Sequence, residues 1–200
     1  MKAFISRLAR MLPVVGIILV ISFSVIGCAS TQLSEPENDR VSLVVGYLDM
    51  SEAPTNLSWM EIKQLKPSTK KPFYGCGVED GLFYNSYLEP GVYKFTEFGG
   101  ASTNILELGA QYTYQFPSQG KGELDIQIEE PGIYFVGSYK YEKVKSGFFE
   151  PGSFDLKNTQ TPTEREVLTM MLTKAETTEW YGRIMGRLNE LGGPAVLEEE

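Results

Sequence analysis

The 200-residue chain has no histidine, and two cysteines are its only thiols. Lack of histidine excludes Ser-His-Asp and Cys-His catalysis, His-ligated zinc and the usual general base near neutral pH. No Gly-x-Ser-x-Gly elbow occurs, and Gln119-Gly120-Lys121-Gly122 lacks the spacing and hydroxyl of a phosphate-binding loop. Positive charge is scarce too: 18 Lys and Arg stand against 26 Asp and Glu. Such a chain repels polyanions, so no nucleic-acid partner is expected. Its densest basic stretch, Lys63, Lys66, Lys70 and Lys71, is interrupted by Pro67 and Pro72 and reads as a solvated loop.

Carboxylates remain as the one reactive class. A glycosidase holds two of them about 5 to 10 Å apart across a cleft. Glu79-Asp80 and Glu129-Glu130 are adjacent in sequence but sit beside Gly or Pro, which predicts solvated turns. Glu35-Pro36-Glu37-Asn38-Asp39 has oxygen ligands but not the alternating spacing of a calcium loop. Neither an enzyme nor a cofactor is expected.

The N-terminus is distinctive. Lys2, Arg7 and Arg10 precede an apolar run from Met11 to Ile26, and no acidic residue occurs before Glu35. Sixteen residues are short for a membrane-spanning helix but suit a signal-peptide core. The run ends in Val25-Ile26-Gly27-Cys28, which resembles the lipobox of bacterial lipoproteins. The resemblance implies recognition of Val25, Ile26 and Gly27 by signal peptidase II, cleavage before Cys28 and lipidation of that cysteine. A multiply acylated cysteine would make the protein a lasting membrane resident. Ala29-Ser30 follows, with no Asp beside the cysteine. By resemblance to the sorting rule of Gram-negative lipoproteins, that leans towards the periplasmic face of the outer membrane.

Cleavage there takes the 18 basic residues to 15 against 26 acidic ones. It also leaves Cys76 without a partner, which predicts a buried structural thiol. The organisation expected is a signal peptide over 1–27, a lipidated Cys and flexible tether over 28–40, and a β-sandwich over 41–158. A helical segment of the same domain over 159–191 and a disordered acidic tail over 192–200 complete it.

Strand signals fill the middle of the chain. Val41 to Leu48 is mostly apolar and gives the first strong signal, Leu57 to Leu65 reads as a strand of mixed periodicity, and Glu123 to Glu129 alternates strictly between polar and apolar. Gln111 to Phe116 alternates with its aromatics on one side, and Ile133 to Lys143 is longer. Several short strands with frequent turns predict a mainly β fold, an antiparallel β-sandwich.

One phrase recurs: Glu89-Pro90-Gly91-Val92-Tyr93, Glu130-Pro131-Gly132-Ile133-Tyr134 and Glu150-Pro151-Gly152-Ser153-Phe154. Pro followed by Gly predicts a type II turn with positive φ at Gly, then an aromatic facing the core. Leu88-Glu89-Pro90-Gly91-Val92-Tyr93 resembles the Leu-x-Pro-Gly-x-Tyr turn of prealbumin-like sandwiches, which include carboxypeptidase-regulatory-like modules. That resemblance implies a fold and no functional residue.

Thr161-Pro162-Thr163-Glu164 supplies a helix start, with Thr161 as N-cap and Glu164 three residues on. Apolar residues from Val167 to Ala175 and from Tyr181 to Leu191 recur at helical spacing, broken near Thr177. Two helices, or one kinked helix, are expected to pack on the sandwich. Gly192-Gly193-Pro194 stops the last.

Twenty-four aromatics remain as recognition chemistry, most of them expected in the core. Tyr84, Tyr87 and Trp180 are the candidate contact residues. Tyr84 and Tyr87 fall on opposite faces of one strand. The function expected is a membrane-anchored, non-catalytic module that binds another envelope protein. The alternatives are an aromatic-faced carbohydrate- or small-ligand-binding sandwich and, behind it, a carboxylate hydrolase.

Overall fold

The computed structural model describes residues 32–102, 109–116, 125–144 and 153–197. Val25 to Cys28, Gln119 to Gly122, Glu123, Leu124 and Glu150-Pro151-Gly152 lie outside the described residues.

Ten strands and two helices follow one another along the chain. They are β1 Ser42–Asp49, β2 Trp59–Lys66, β3 Phe73–Gly75, β4 Gly77–Glu79, β5 Leu82–Leu88 and β6 Gly91–Ala101. After them come β7 Gln111–Gln115, β8 Asp125–Ile128, β9 Ile133–Val144 and β10 Ser153–Thr159. The helices are α1 Glu164–Ala175 and α2 Glu179–Glu190. One sheet runs β10-β9-β1-β5-β4; the other runs β3-β2-β6-β7, with β8 also on β6. The fold is therefore mainly β, two sheets with a C-terminal helix pair. The described strand pairs are antiparallel except for β1 and β9, which run parallel.

Period-two alternation explains why β1 looks uniformly apolar. Val44 and Leu48 face the second sheet, while Leu43 and Val45 face the helices. A strand covered on both sides needs apolar residues at every position. The layer between the sheets is rich in aromatics. Phe98 packs on Tyr114, Phe116 and Phe154, and Phe95 on Phe83 and Phe116, with ring centroids 4.9 to 5.8 Å apart. The layer beneath the helices is mostly aliphatic: Val167, Leu168, Met171, Ile184 and Leu188 close on β1 and β5, with Trp180 among them.

Both described Glu-Pro-Gly turns change sheet. Residues 89–91 carry the chain from β5 into β6, and residues 130–132 carry it back from β8 into β9. Neither glycine has positive φ, so the expected type II geometry is corrected. What closes each turn is a tyrosine hydroxyl. Tyr93 donates to the Glu89 carbonyl at 2.7 Å and Tyr134 to the Glu130 carbonyl at 2.6 Å. Positive φ appears instead at Asp80 and Gly81, the two centre residues between β4 and β5. That pair is the Asp-Gly signature of a tight hairpin whose twist matches its strands.

The helix start also differs from expectation. Thr163, not Thr161, caps α1, and Glu166 completes the reciprocal box by accepting from the Thr163 N–H at 2.6 Å. At this helix start the Thr-x-x-Glu pattern is available in two overlapping registers, Thr161/Glu164 and Thr163/Glu166. Local sequence does not choose between them. Of the two arrangements expected for the C-terminal segment, separate helices are the one formed. The break falls at Thr177-Thr178, where the Thr178 hydroxyl donates to the Ala175 carbonyl.

Both ends of the described chain are more closely held than composition predicts. Leu33 is only 3 % exposed and donates its N–H to the Lys174 carbonyl at 2.9 Å. The flexible tether expected over 28–40 is therefore corrected from Leu33 onward, because that lone apolar side chain finds the gap beside α1. Within the tail expected to be disordered over 192–200, residues 194 and 195 are held by two contacts. Ala195 donates to the Thr169 hydroxyl at 2.9 Å, and Arg165 reaches the Pro194 carbonyl at 3.2 Å.

Candidate functional site

The three aromatic contact candidates divide. Tyr84 and Trp180 are buried in the same layer beneath the helices, so both are corrected to core residues. Their elements are far apart in sequence, and no local pattern announces that they meet. The Arg183 guanidinium lies over the Trp180 ring, 4.9 Å from its centroid, and also approaches Asp39 at 3.5 Å. Tyr87 is 38 % exposed. The expected opposition of Tyr84 and Tyr87 fails, for a visible reason. Between Asn85 and Leu88, β5 carries one residue more than the facing stretch of β1. This bulge resets the alternation, so Leu88 turns into the core and Tyr87 stays out.

The carboxylate candidates divide as well. Asp80 sits in its tight turn, but Glu79 belongs to β4 and pairs with Lys174 of α1, a buried lysine. The expectation of a solvated Glu79 is thereby corrected: the carboxylate offsets a cation that the helix carries into the core. Glu129 and Glu130 are exposed. Asp49 and Asp80 both line a polar cleft of about 420 Å³ together with Ser51, Asn56 and Ser58. The Asp49 carboxylate accepts the Ser51 N–H at 2.8 Å. Among the described residues no group of three acidic or cysteine side chains is placed to hold a metal ion.

Cys76 lies where the chain passes from β3 in one sheet to β4 in the other. Its N–H donates to the Met60 carbonyl at 2.8 Å, and its side chain packs on the inter-sheet core. Burial pushes the thiol well above its ordinary range, which suppresses the nucleophilic thiolate.

Among the described residues, the β2–β3 hairpin brings lysines and exposed apolar side chains together. Its cross-strand register sets Lys63 opposite both Phe73 and Lys94. The Lys63 ammonium stands 5.3 Å from the centre of the Phe73 ring. Phe73 is 53 % exposed and Leu65 41 %. Among the described residues none of Lys63, Lys66, Lys70 and Lys71 is within ion-pair distance of a carboxylate. Sequence reasoning found these lysines as a solvated loop; it missed their apolar companions, which only the strand register brings beside them. Among the described residues no helix is long and apolar enough to cross a membrane. No protein-family model, curated protein or solved structure matches the chain.

Proposed function

We propose that this protein is a lipid-anchored, non-catalytic envelope lipoprotein, held on the periplasmic face of an outer membrane, that serves as a binding module for another envelope protein. The observation that carries this reading is the N-terminal sequence: a basic flank, a short apolar core and Val25-Ile26-Gly27-Cys28. Two further observations support it. The chain lacks histidine, and desolvation raises the pKa of the part-buried Cys76 thiol, which disfavours the usual nucleophile–base pairs. The exposed aromatics among the described residues, Phe73, Tyr87 and Tyr181, lie on three different elements rather than forming one stacking platform. That distribution favours a protein partner over a carbohydrate. Anchoring would raise the effective concentration of the module for partners on the same surface.

Two measurements test the proposal. Cells fed an alkynyl fatty acid should label the wild-type chain and not Cys28→Ser, and the variant should accumulate as the form that keeps residues 1–27. Label on the variant would refute the anchor. Crosslinking in cells, followed by mass spectrometry, should recover one partner at near-equal amount. Recovery of glycan fragments instead would overturn the protein-partner reading in favour of a carbohydrate-binding sandwich.

A further inference from the structure

The basic hairpin stands out against the charge of the molecule. In a chain of net charge −8, residues 63–71 hold four lysines and no acidic side chain. On the same sheet face the acids stand on the strands rather than in the turn: Glu61 accepts from the Thr96 hydroxyl at 2.7 Å, Glu97 from the Gln115 amide at 3.2 Å, and Asp125 is the ladder partner of Lys94. Leu65 and Phe73, both exposed, flank the cations. A purely polyanionic partner would gain from the lysines and nothing from these two side chains. A phospholipid surface uses both, because it offers anionic head groups above an apolar phase.

Position in the fold supports the same occupant. The N-terminal segment docks at Leu33 on the Lys174 carbonyl, and the Lys174 ammonium pairs with Glu79 of β4. From β4 the chain runs through Cys76 directly into β3, one arm of the basic hairpin. The exit of the N-terminal segment and the hairpin therefore share one edge of the two-sheet body. If Cys28 carries the lipid, as proposed above, five residue steps separate it from Leu33, at most about 18 Å of chain. A leash that short holds this edge close to the head groups.

We infer that the β2–β3 hairpin docks onto an anionic phospholipid surface, with its lysines among the head groups and Leu65 and Phe73 at the acyl boundary. The lysine stems lie along the interface while their ammonium groups stay hydrated.

The test uses the full, natively acylated protein in vesicles of phosphatidylcholine, or of the same lipid with a third replaced by phosphatidylglycerol. An environment-sensitive fluorophore is placed on Ser68→Cys in the hairpin turn and, as control, on the exposed Asn158→Cys in β10, at the edge of its sheet opposite β4; both chains carry Cys76→Ala, because that thiol is only part-buried. The expected result is quenching of position 68 by brominated lipid in the anionic vesicles alone, reversed by high salt, with position 158 unaffected. Each lysine near such a surface contributes about fivefold to partitioning, so Lys63, Lys66, Lys70 and Lys71→Gln together should lower docking by about a hundredfold or more. Phe73→Ser, which leaves the charge intact, should weaken docking on the same vesicles; circular dichroism of both variants confirms the fold. A probe at 68 that stays in water on both vesicles, or is quenched equally on both, overturns the inference. So does crosslinking of position 68 to an envelope protein while it remains in water. Failure of the anchor is read separately, as loss of flotation with the phosphatidylcholine vesicles.

Discussion

The two described Glu-Pro-Gly-x-Tyr turns share a sequence, a sheet-crossing role and a closing hydrogen bond, yet they sit in different surroundings. Tyr93 is 1 % exposed and meets the Tyr74 ring edge-on at 6.1 Å, whereas Tyr134 is only half-buried. A Cβ at Gly91 would stand 2.5 Å from the Lys66 carbonyl oxygen; one at Gly132 would find its nearest neighbour at 3.6 Å. The first glycine is required by close approach of a second strand, the second by nothing spatial. An identical local phrase thus makes an identical local bond, while the energy it commands is set by what the fold presses against it.

Alanine at the two tyrosines gives the largest test of that contrast. Tyr93→Ala should cost about 3–5 kcal/mol, as removal of a large core aromatic does, and Tyr134→Ala clearly less. Denaturant unfolding of both variants measures the gap, and equal losses would break the comparison. Next come the glycines. Gly91→Ala should destabilise by about 1–3 kcal/mol, since backbone on β2 must move, while Gly132→Ala should stay within about 0.5 kcal/mol. A tolerated Gly91→Ala would show that β2 and β6 separate more easily than their register suggests.

The smallest effect sharpens the comparison through pH. Burial, with Tyr74 and Glu89 adding to it, pushes the Tyr93 hydroxyl up to about 12. An unfolded tyrosine ionises near about 10. Above that value the unfolded chain releases its proton first, so stability is whole below pH about 10 and declines towards about 12. Tyr93→Phe should cost about 1 kcal/mol at neutral pH and make the alkaline decline shallower. Thermal melts across that window, read beside Tyr134→Phe, check both statements.

Much of the fold was legible because its signals are local. The alternation of Gln111 to Gln115 and of Asp125 to Ile128 appears as β7 and β8, with Tyr112, Tyr114, Ile126 and Ile128 turned inward. What local pattern does not carry is the meeting of distant segments. Trp180 is hidden because Tyr84, Leu43 and Leu33 converge on its layer from elsewhere in the chain. Tyr87 is outward because of a bulge defined only relative to β1. The hairpin surface shows the same limit from the other side: its lysines are visible in sequence, but their alignment with Phe73 depends on how β2 and β3 pair.

The docking of the N-terminal segment has a mechanical consequence. Thr178 makes no side-chain cap for α2; the Glu179 N–H is instead taken by the Glu35 carboxylate at 3.0 Å. With Leu33 bound to the Lys174 carbonyl, two consecutive attachments grip the end of α1 and the start of α2. A pull from the N-terminal side therefore loads the junction between the helices before it reaches either sheet. Under tension these two attachments are the first to carry load, and once they part the chain leads directly into β1.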